Sequence, residues 1–288
     1  MIMNQKWTLL VVVLISTVIG CKSAPKTDSS GATTPTQQAV AAVESTAAPT
    51  LSSLTEEWNT LVKQYVVDGW VGYTDLKADP RFKALLKNQN KFDPETLKTR
   101  NEKIAFWINA YNICTIQLIL KHYPVKHWDE IVETDAQGEA VKPWSVEFCK
   151  VGGEKYALDY IEGGILLGEL GKSEVHFAVN CAAKSCPILR SEAYMADKLD
   201  DQLAEQYIAF MFDREKNYFD PKKKKMFLSM IYQWYKPDFE KNGGTLLGYL
   251  HDALPEEAQK LAKKKKLKVE YLEYFWDIND QKNRAALQ

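Results

Sequence analysis

The sequence predicts a single α+β domain that is rich in helix and contains a small mixed or antiparallel sheet. Most apolar residues recur at helical spacing, and the strand-like stretches are short and irregularly placed. A regular alternation of strands and helices, which would favour a parallel sheet, is not found in the sequence. Apolar residues make up 45% of the 288 and charged residues 26%, which is typical of a well-packed globular domain.

The first 21 residues have the pattern of an exported bacterial lipoprotein. Lys6 precedes a short apolar run, and small residues lead to Cys21. A basic start and a short apolar core are typical of a secretory signal, and the run is shorter than the roughly twenty residues of a bilayer-spanning helix. Val18–Cys21 (VIGC) resembles the bacterial lipobox, so residues 1–20 are the predicted signal peptide and Cys21 the predicted lipidation site. An ordinary signal with a chance cysteine is the alternative.

This pattern predicts the location and one partner of the protein. The lipid anchor at Cys21 would bind the inner or outer membrane of the cell envelope, with the domain outside the cytoplasm. Residues 21–52 are predicted to be a disordered tether, because no aromatic residue lies between Cys21 and Trp58. Residues 53–288 form the predicted globular domain, with Ser53 as a plausible cap of its first helix. The formal net charge of −1 gives no support for nucleic-acid binding.

Each element follows from its local pattern. The strongest helix is predicted over 102–122, where Ile104, Ile108 and Leu118 lie on one stripe and Pro124 follows. Gly163-Gly164 interrupts a helical pattern at 158–167, so the pattern does not decide whether the helix continues through its middle. Further helices are predicted at 54–65, 81–90, 94–98, 196–212, 231–235 and 246–254. Strand-like segments are predicted at 70–76, 144–151, 175–179, 225–230 and 267–272.

Two asparagines in the strongest helix are the first candidate site residues. Asn109 and Asn112 are three residues apart, so they share one helix face. Asparagine is unfavourable inside a helix because its amide competes for backbone hydrogen bonds. Both amides therefore either bond neighbouring loops across the core, or one of them orients a catalytic imidazole or donates to an oxyanion.

The segment 175–187 carries the second group of candidates. On the predicted strand, His176 and Asn180 point to the same side, and Cys181 opens the turn that follows. A thiolate at Cys181 would be a nucleophile with His176 as its base. A disulfide between Cys181 and Cys186 and simple packing of Cys181 are alternatives, because an envelope compartment permits disulfides. Four cysteines besides Cys21 allow three complete pairings, which the sequence leaves open.

The two segments together resemble a known family. Residues 102–112 (EKIAFWINAYN) and 176–187 (HFAVNCAAKSCP) are similar to the signature of the uncharacterised family called domain of unknown function 547. Supporting matches are VGYTDL at 71–76, LDYIE at 158–162 and WYKPDF at 234–239, and the resemblance covers about residues 70–250. The family motif includes the positions matched by Asn109, Tyr111, Asn112, His176, Cys181, Ser185 and Pro187. The resemblance implies no settled activity.

Two hypotheses of function follow. In the first, the domain is a thiol-dependent hydrolase or transferase acting on peptide or amide substrates of the envelope. A distant papain-like or transglutaminase-like fold would fit it, although papain-like enzymes place their Cys and His far apart in the chain. In the second, the domain is a non-enzymatic ligand-binding or assembly module. The catalytic candidates are Cys181, His176, Asn109 and Asn112, and the substrate-binding candidates are Tyr111, Asn180, Ser185 and Trp107.

Several other sequence features do not predict a functional site. No metal site and no cofactor are predicted, since the chain has no zinc-ribbon spacing and no phosphate-loop or dinucleotide pattern. The basic runs Lys222–Lys225 and Lys263–Lys266 are interpreted as solvated surface that is also able to touch anionic lipid headgroups. The ligand or protein partner of the domain stays unknown at this stage.

Overall fold

The first described helix begins at Leu51, three residues before the helix predicted at 54–65. The computed structural model describes residues 48–284, apart from residue 136 and the side chains of residues 242 and 243. Helix α1 spans Leu51–Tyr65 and is capped by Thr50, whose hydroxyl accepts a hydrogen bond from the Ser53 amide at 3.1 Å. The Ser53 hydroxyl accepts one from the Thr50 amide at 2.9 Å. Ser53 is therefore the third helical residue of a capping box and not the cap itself.

The predicted signal peptide, Cys21 and most of the tether 21–52 lie outside the described residues. The described residues belong to one unit, Val43–Gln288. After α1 come the short hairpin strands β1 (Val66–Val67) and β2 (Trp70–Val71), then helices α2 (Tyr73–Ala78) and α3 (Pro80–Lys91).

Helix α4 (Arg100–His122) is the centre of the domain and confirms the strongest predicted helix. Thr99 and Glu102 form a capping box at its start. Among the described residues, α4 is the one helix that is long and apolar enough to cross a bilayer. However, 89% of its apolar stretch is buried inside the domain. It is thus the core helix of a globular domain, and the other elements pack around it.

Strands are few and short, as predicted for the fold class. Strands β3 (Glu133–Thr134) and β4 (Ala140–Val141) form a hairpin, and so do β5 (Cys149–Val151) and β6 (Glu154–Tyr156). Later in the chain, β7 (Tyr218–Asp220), β8 (Lys225–Leu228) and β9 (Lys268–Tyr271) form a three-stranded mixed sheet. In it β8 pairs antiparallel with β7 and parallel with β9. The prediction of an α+β fold with a small mixed or antiparallel sheet is confirmed.

The predicted strand at 175–179 is wrong, because this segment is helical. A π-helix spans Tyr160–Glu169 and a 3₁₀ helix spans Ser173–Phe177, and the amides of Ala178 and Val179 both donate to the carbonyl of Val175. The residues of 175–180 are all buried, so their apolar pattern has no period that separates strand from helix. A Cβ at Gly164 would lie 2.9 Å from the ring of the exposed Tyr160, so this ring would have to move if the glycine were replaced.

The remaining helices complete two apolar cores. They are α5 (Leu199–Met211), α6 (Ile231–Trp234), α7 (Lys236–Gly243), α8 (Leu246–Tyr249), α9 (Glu256–Lys263) and α10 (Gln281–Arg284). Four short 3₁₀ helices lie at Pro94–Thr96, Trp128–Glu130, Pro143–Ser145 and His251–Ala253. The larger core surrounds α4, and the smaller one lies among α5 to α9 with Phe177 at its centre.

Residues 274–281, called here the crossing segment, lie across elements that are distant in the chain. The amide of Asn279 donates to the Ala182 carbonyl at 2.9 Å, and the amide of Val71 donates to the Asn279 carbonyl at 2.8 Å. The amide of Lys184 donates to the Asp277 carbonyl at 2.7 Å. The crossing segment therefore joins the start of the domain to the loop that follows the 3₁₀ helix.

Candidate functional site

His176 lies between two carboxylates. Its Nδ1 is 3.2 Å from Glu162 Oε1, and its Nε2 is 3.1 Å from Asp238 Oδ2. The π-helix provides Glu162, the 3₁₀ helix provides His176, and α7 provides Asp238. The imidazole side chain is fully buried, and it stacks on Tyr235 with ring centroids 3.9 Å apart. Three separate segments thus meet at one imidazole.

The hydrogen-bond pattern of His176 restricts its chemistry. A neutral imidazole has one N–H donor, whereas two acceptors face the ring here. Both contacts are hydrogen bonds when the imidazole carries two protons or when one carboxyl group carries the second proton. In either form the three side chains together keep an excess of negative charge, and both nitrogens of His176 already have a carboxylate partner.

The structure pairs all four cysteines of the described residues. Cys181 is bonded to Cys186, and Cys114 is bonded to Cys149 with a sulfur–sulfur distance of 2.09 Å. Of the alternatives that the sequence leaves open for Cys181, this structure contains the disulfide. The two disulfides differ in their surroundings, because Cys114 and Cys149 are both fully buried whereas Cys181 is half-buried.

The Cys181–Cys186 disulfide has a hydroxyl neighbour. Tyr274 of the crossing segment places its hydroxyl 3.4 Å from the Cys181 sulfur and 3.1 Å from the Cys186 sulfur. The loop between the two cysteines contains Ala182 with φ of +63°, a left-handed conformation that is unfavourable for a residue with a Cβ. The amide of Cys181 also donates to the Cys186 sulfur at 3.1 Å. The disulfide therefore lies in a tight loop closed by Tyr274.

Asn109 and Asn112 both brace backbone segments. The Asn109 amide donates to the Tyr194 carbonyl at 2.8 Å, and its oxygen accepts from the Tyr194 amide at 2.9 Å. The Asn112 amide donates to the Ala178 carbonyl at 3.0 Å, and its oxygen accepts from the Asn180 amide at 2.8 Å. Each side chain thus has a donor and an acceptor partner on the backbone, which accounts for asparagine in a helix interior.

Two of the substrate-binding candidates also bond the backbone. Asn180 donates from its side chain to the Pro187 carbonyl at 2.7 Å, and its oxygen accepts from the Ala182 amide at 2.8 Å. The Ser185 hydroxyl accepts from the Phe275 amide at 2.8 Å. These contacts shape the loop 180–187 and hold it against the crossing segment.

The other two candidates lie in the core. Trp107 is 7% exposed and packs edge to face against Tyr156. Tyr111 is 5% exposed. Burial raises the pKa of the Tyr111 hydroxyl well above its usual value, and the negative charge of Glu162 raises this pKa further. Tyr111 is thus within the electrostatic reach of the Glu162 carboxylate, whereas Trp107 serves the packing of α4.

Glu162 influences two further tyrosines. Burial raises the pKa of Tyr235 and of Tyr274, and in both cases the charge of Glu162 adds to the effect. The proximity of the Glu162 side chain to the Tyr235 hydroxyl raises the pKa of Tyr235 further. These hydroxyls stay protonated at neutral pH, so they are able to donate hydrogen bonds within the site.

A partly exposed group of aromatic side chains, called here the aromatic face, adjoins this centre. The Trp234 ring lies 4.8 Å from Tyr274 and 5.9 Å from Trp276 between centroids, and Trp276 stacks on Trp144 at 5.9 Å. Trp234 is 44% exposed. Because Trp234 directly precedes Tyr235, the aromatic face is continuous in the chain with the residue that stacks on His176.

Four residues of this centre are not among those predicted from the sequence: Glu162, Asp238, Tyr235 and Tyr274. Two short segments contained the signal for three of them, since LDYIE ends at Glu162 and WYKPDF contains Tyr235 and Asp238. Tyr274 had no such signal, because its role depends on the path of the crossing segment.

A cavity of about 330 Å³ lies beside the Cys181–Cys186 loop, with Asn180, Lys184 and Cys186 in its wall. Within residues 48–135 and 137–284, no group of three or more His, Cys, Asp and Glu side chains is placed to hold a metal ion.

Comparison with known proteins adds one match. Residues 94–211 match the family model described as "Protein of unknown function, DUF547", which supports the resemblance that the two motifs predicted. The matched segment contains α4, the π-helix, the 3₁₀ helix and both disulfides, whereas Tyr235, Asp238 and Tyr274 lie beyond it. No curated protein and no solved structure matches the chain.

Proposed function

We propose that the protein is a cell-envelope lipoprotein, anchored at Cys21, whose domain binds a ligand that carries an ammonium group. The lipobox-like segment VIGC and the apolar run before it support the anchor. The support for a binding module is the environment of His176, since carboxylates face both of its ring nitrogens. With Cys181 also bonded to Cys186, the described site offers neither a free thiol nor a free base.

The solvent-exposed groups around His176 favour a positively charged ligand. The carboxylate side chains of Glu162 and Asp238 are 13% and 24% exposed, so ligand atoms are able to reach them. Trp234 is more exposed and offers a ring face, which attracts ammonium groups as well as apolar surfaces. Asp238 also pairs with Lys241 at 3.7 Å, whereas His176 is the only ion-pair partner of Glu162 among the described residues. The Glu162 carboxylate near the exposed Trp234 therefore fits an amine-bearing peptide or amino sugar of the envelope.

A pair of peptide probes tests the binding proposal. A tripeptide with a free lysine side chain is titrated against the full chain by tryptophan fluorescence, and its Nε-acetylated form is the uncharged control. We expect binding of the free form alone, and Glu162→Gln and Trp234→Ala each weaken it about tenfold or more, in line with a charge-assisted or cation–π contact. Glu56→Gln, an exposed carboxylate on α1, is the matched control and leaves binding unchanged. Equal binding of both peptides, or none, contradicts the proposal.

A second candidate function is thiol chemistry after reduction. Its support is the Tyr274 hydroxyl, which lies within 3.4 Å of both sulfur atoms and would donate to a thiolate at Cys181. In that state Cys181 would be the nucleophile of a hydrolase or transferase. After mild reduction, an alkylating reagent at neutral pH should label Cys181 much faster in the native chain than in the Tyr274→Phe variant. Equal rates would remove this candidate.

The anchor has its own test. Expression in a bacterial host and mass spectrometry of the N-terminal peptide should show an acylated Cys21 and loss of residues 1–20. Cys21→Ala should abolish the acylation and leave residues 1–20 attached. An unmodified Cys21 in the membrane fraction would contradict the lipoprotein proposal.

A further inference from the structure

Two lysine runs that are distant in the sequence meet at one end of the mixed sheet. Strands β8 and β9 are parallel with Lys225 paired to Lys268, and the amide of Lys268 donates to the Lys224 carbonyl at 3.1 Å. The lysine runs at the N-terminal ends of β8 and β9 therefore lie at the same end of the sheet. We call this set of side chains the lysine edge: Lys222, Lys223, Lys224, Lys225, Lys263, Lys264, Lys265, Lys266 and Lys268.

The lysine edge is exposed and mostly unpaired. Lys225 is half-buried, and the other eight residues are exposed. Lys223 pairs with Asp220 at 3.8 Å and Lys225 with Glu270 at 2.5 Å, and the other members have no ion pair among the described residues. Since the whole chain has a net charge of only −1, this positive charge is local and does not reflect the composition.

Two lysines of the lysine edge have an unusual backbone conformation. Lys224 has φ of +53° and Lys265 has φ of +55°, so each turn has a lysine in the left-handed region that favours glycine. A lysine there costs conformational energy that glycine or asparagine would reduce. A lysine charge thus lies at the two turn positions where the backbone favours another residue.

We propose that the lysine edge docks the domain on an anionic phospholipid surface. Each lysine near such a surface adds to the affinity, and one acyl signal combined with a polybasic patch gives much firmer attachment than either alone. The choice of a membrane over another polyanion rests on the proposed anchor at Cys21, which would keep the domain beside a bilayer. The edge would then turn the tethered domain to one orientation on the membrane.

Vesicle binding of the full chain tests this proposal. Vesicles of phosphatidylcholine alone are compared with vesicles containing phosphatidylglycerol, so that affinity from acyl chains or from the apolar residues 7–19 is common to both. In the quadruple variant K222Q/K263Q/K264Q/K266Q, we expect the affinity for the anionic vesicles to fall by at least about 100-fold. Affinity for the neutral vesicles should not change, and high salt should remove the difference between the two compositions.

The matched control removes the same charge elsewhere. K63Q/K83Q/K91Q/K103Q changes four exposed lysines on α1, α3 and α4 and should retain the preference for anionic vesicles. Equal affinity of the two quadruple variants, or no preference for anionic vesicles, would overturn the proposal. Lysine-edge-dependent binding to a DNA duplex without vesicle binding would overturn it in favour of a nucleic-acid partner. An unacylated Cys21 with an intact charge preference would instead contradict only the anchor.

Discussion

Replacing Asn112 with alanine should destabilise the domain strongly. Asn112 is 2% exposed and bonds two buried backbone groups, the Ala178 carbonyl and the Asn180 amide. Alanine leaves both groups without a partner, and each buried unsatisfied group costs about 1–3 kcal/mol. The free energy of unfolding should therefore fall by about 2–6 kcal/mol. The loss would arise in the segment that carries His176 and Cys181.

Urea unfolding at neutral pH, followed by tryptophan fluorescence with the disulfides intact, measures this change. Asn88→Ala is the control, because Asn88 is only half-buried and its amide donates to the carboxylate of Glu57, also half-buried, at 2.9 Å. Its cost should stay below about 1 kcal/mol. If Asn112→Ala were no more costly than Asn88→Ala, the bracing role of the Asn112 amide would be refuted. An orienting role in catalysis would then regain support.

Three further predictions concern charge and disulfides. Hydrogen bonds from Arg81 lower the pKa of Asp79 to about 2, so NMR titration of its carboxyl carbon should give this midpoint and Arg81→Ala should raise it. Because the folded-state pKa is lowered, the associated stability is present above about pH 4 and is lost as the pH falls towards 2. Under mild reductant, mass spectrometry after alkylation should find the half-buried Cys181–Cys186 bond opened before the fully buried Cys114–Cys149 bond; the reverse order would refute the role of exposure. Removing the latter by a double Cys→Ser change opens a loop of 35 residues. In urea this should cost about 3–4 kcal/mol, and a loss below about 1 kcal/mol would contradict the loop-closure estimate.

The sequence predicted the fold class because its strongest signals were local. A long apolar stripe between Glu102 and Pro124 identified α4, and short β-prone runs located β8 and β9. The strand predicted at 175–179 is wrong for a physical reason. It is buried on all sides, so polar residues do not mark an outer face and periodicity carries no information there.

Half of the candidate site was accessible to sequence reasoning. His176 and Cys181 were identified because both lie in one short polar segment. Their partners were not, since Glu162 and Asp238 are 14 and 62 residues from His176 and only the fold brings them together. The predicted catalytic roles of His176 and Cys181 stay predictions, and their observed neighbours are two carboxylates and a disulfide partner.

The path of the crossing segment has a consequence for biogenesis. A chain is synthesised from its N-terminus, so the 180–187 loop emerges about ninety residues before the residues whose contacts complete it, such as Asn279, whose amide donates to the Ala182 carbonyl. The side chain of Asn279 also accepts a hydrogen bond from the Tyr73 hydroxyl at 2.8 Å. The N-terminal part of the domain therefore also gains this contact only after residue 279 has been synthesised. The domain therefore closes last at its site, because the crossing segment that completes the site is among the last residues to be synthesised.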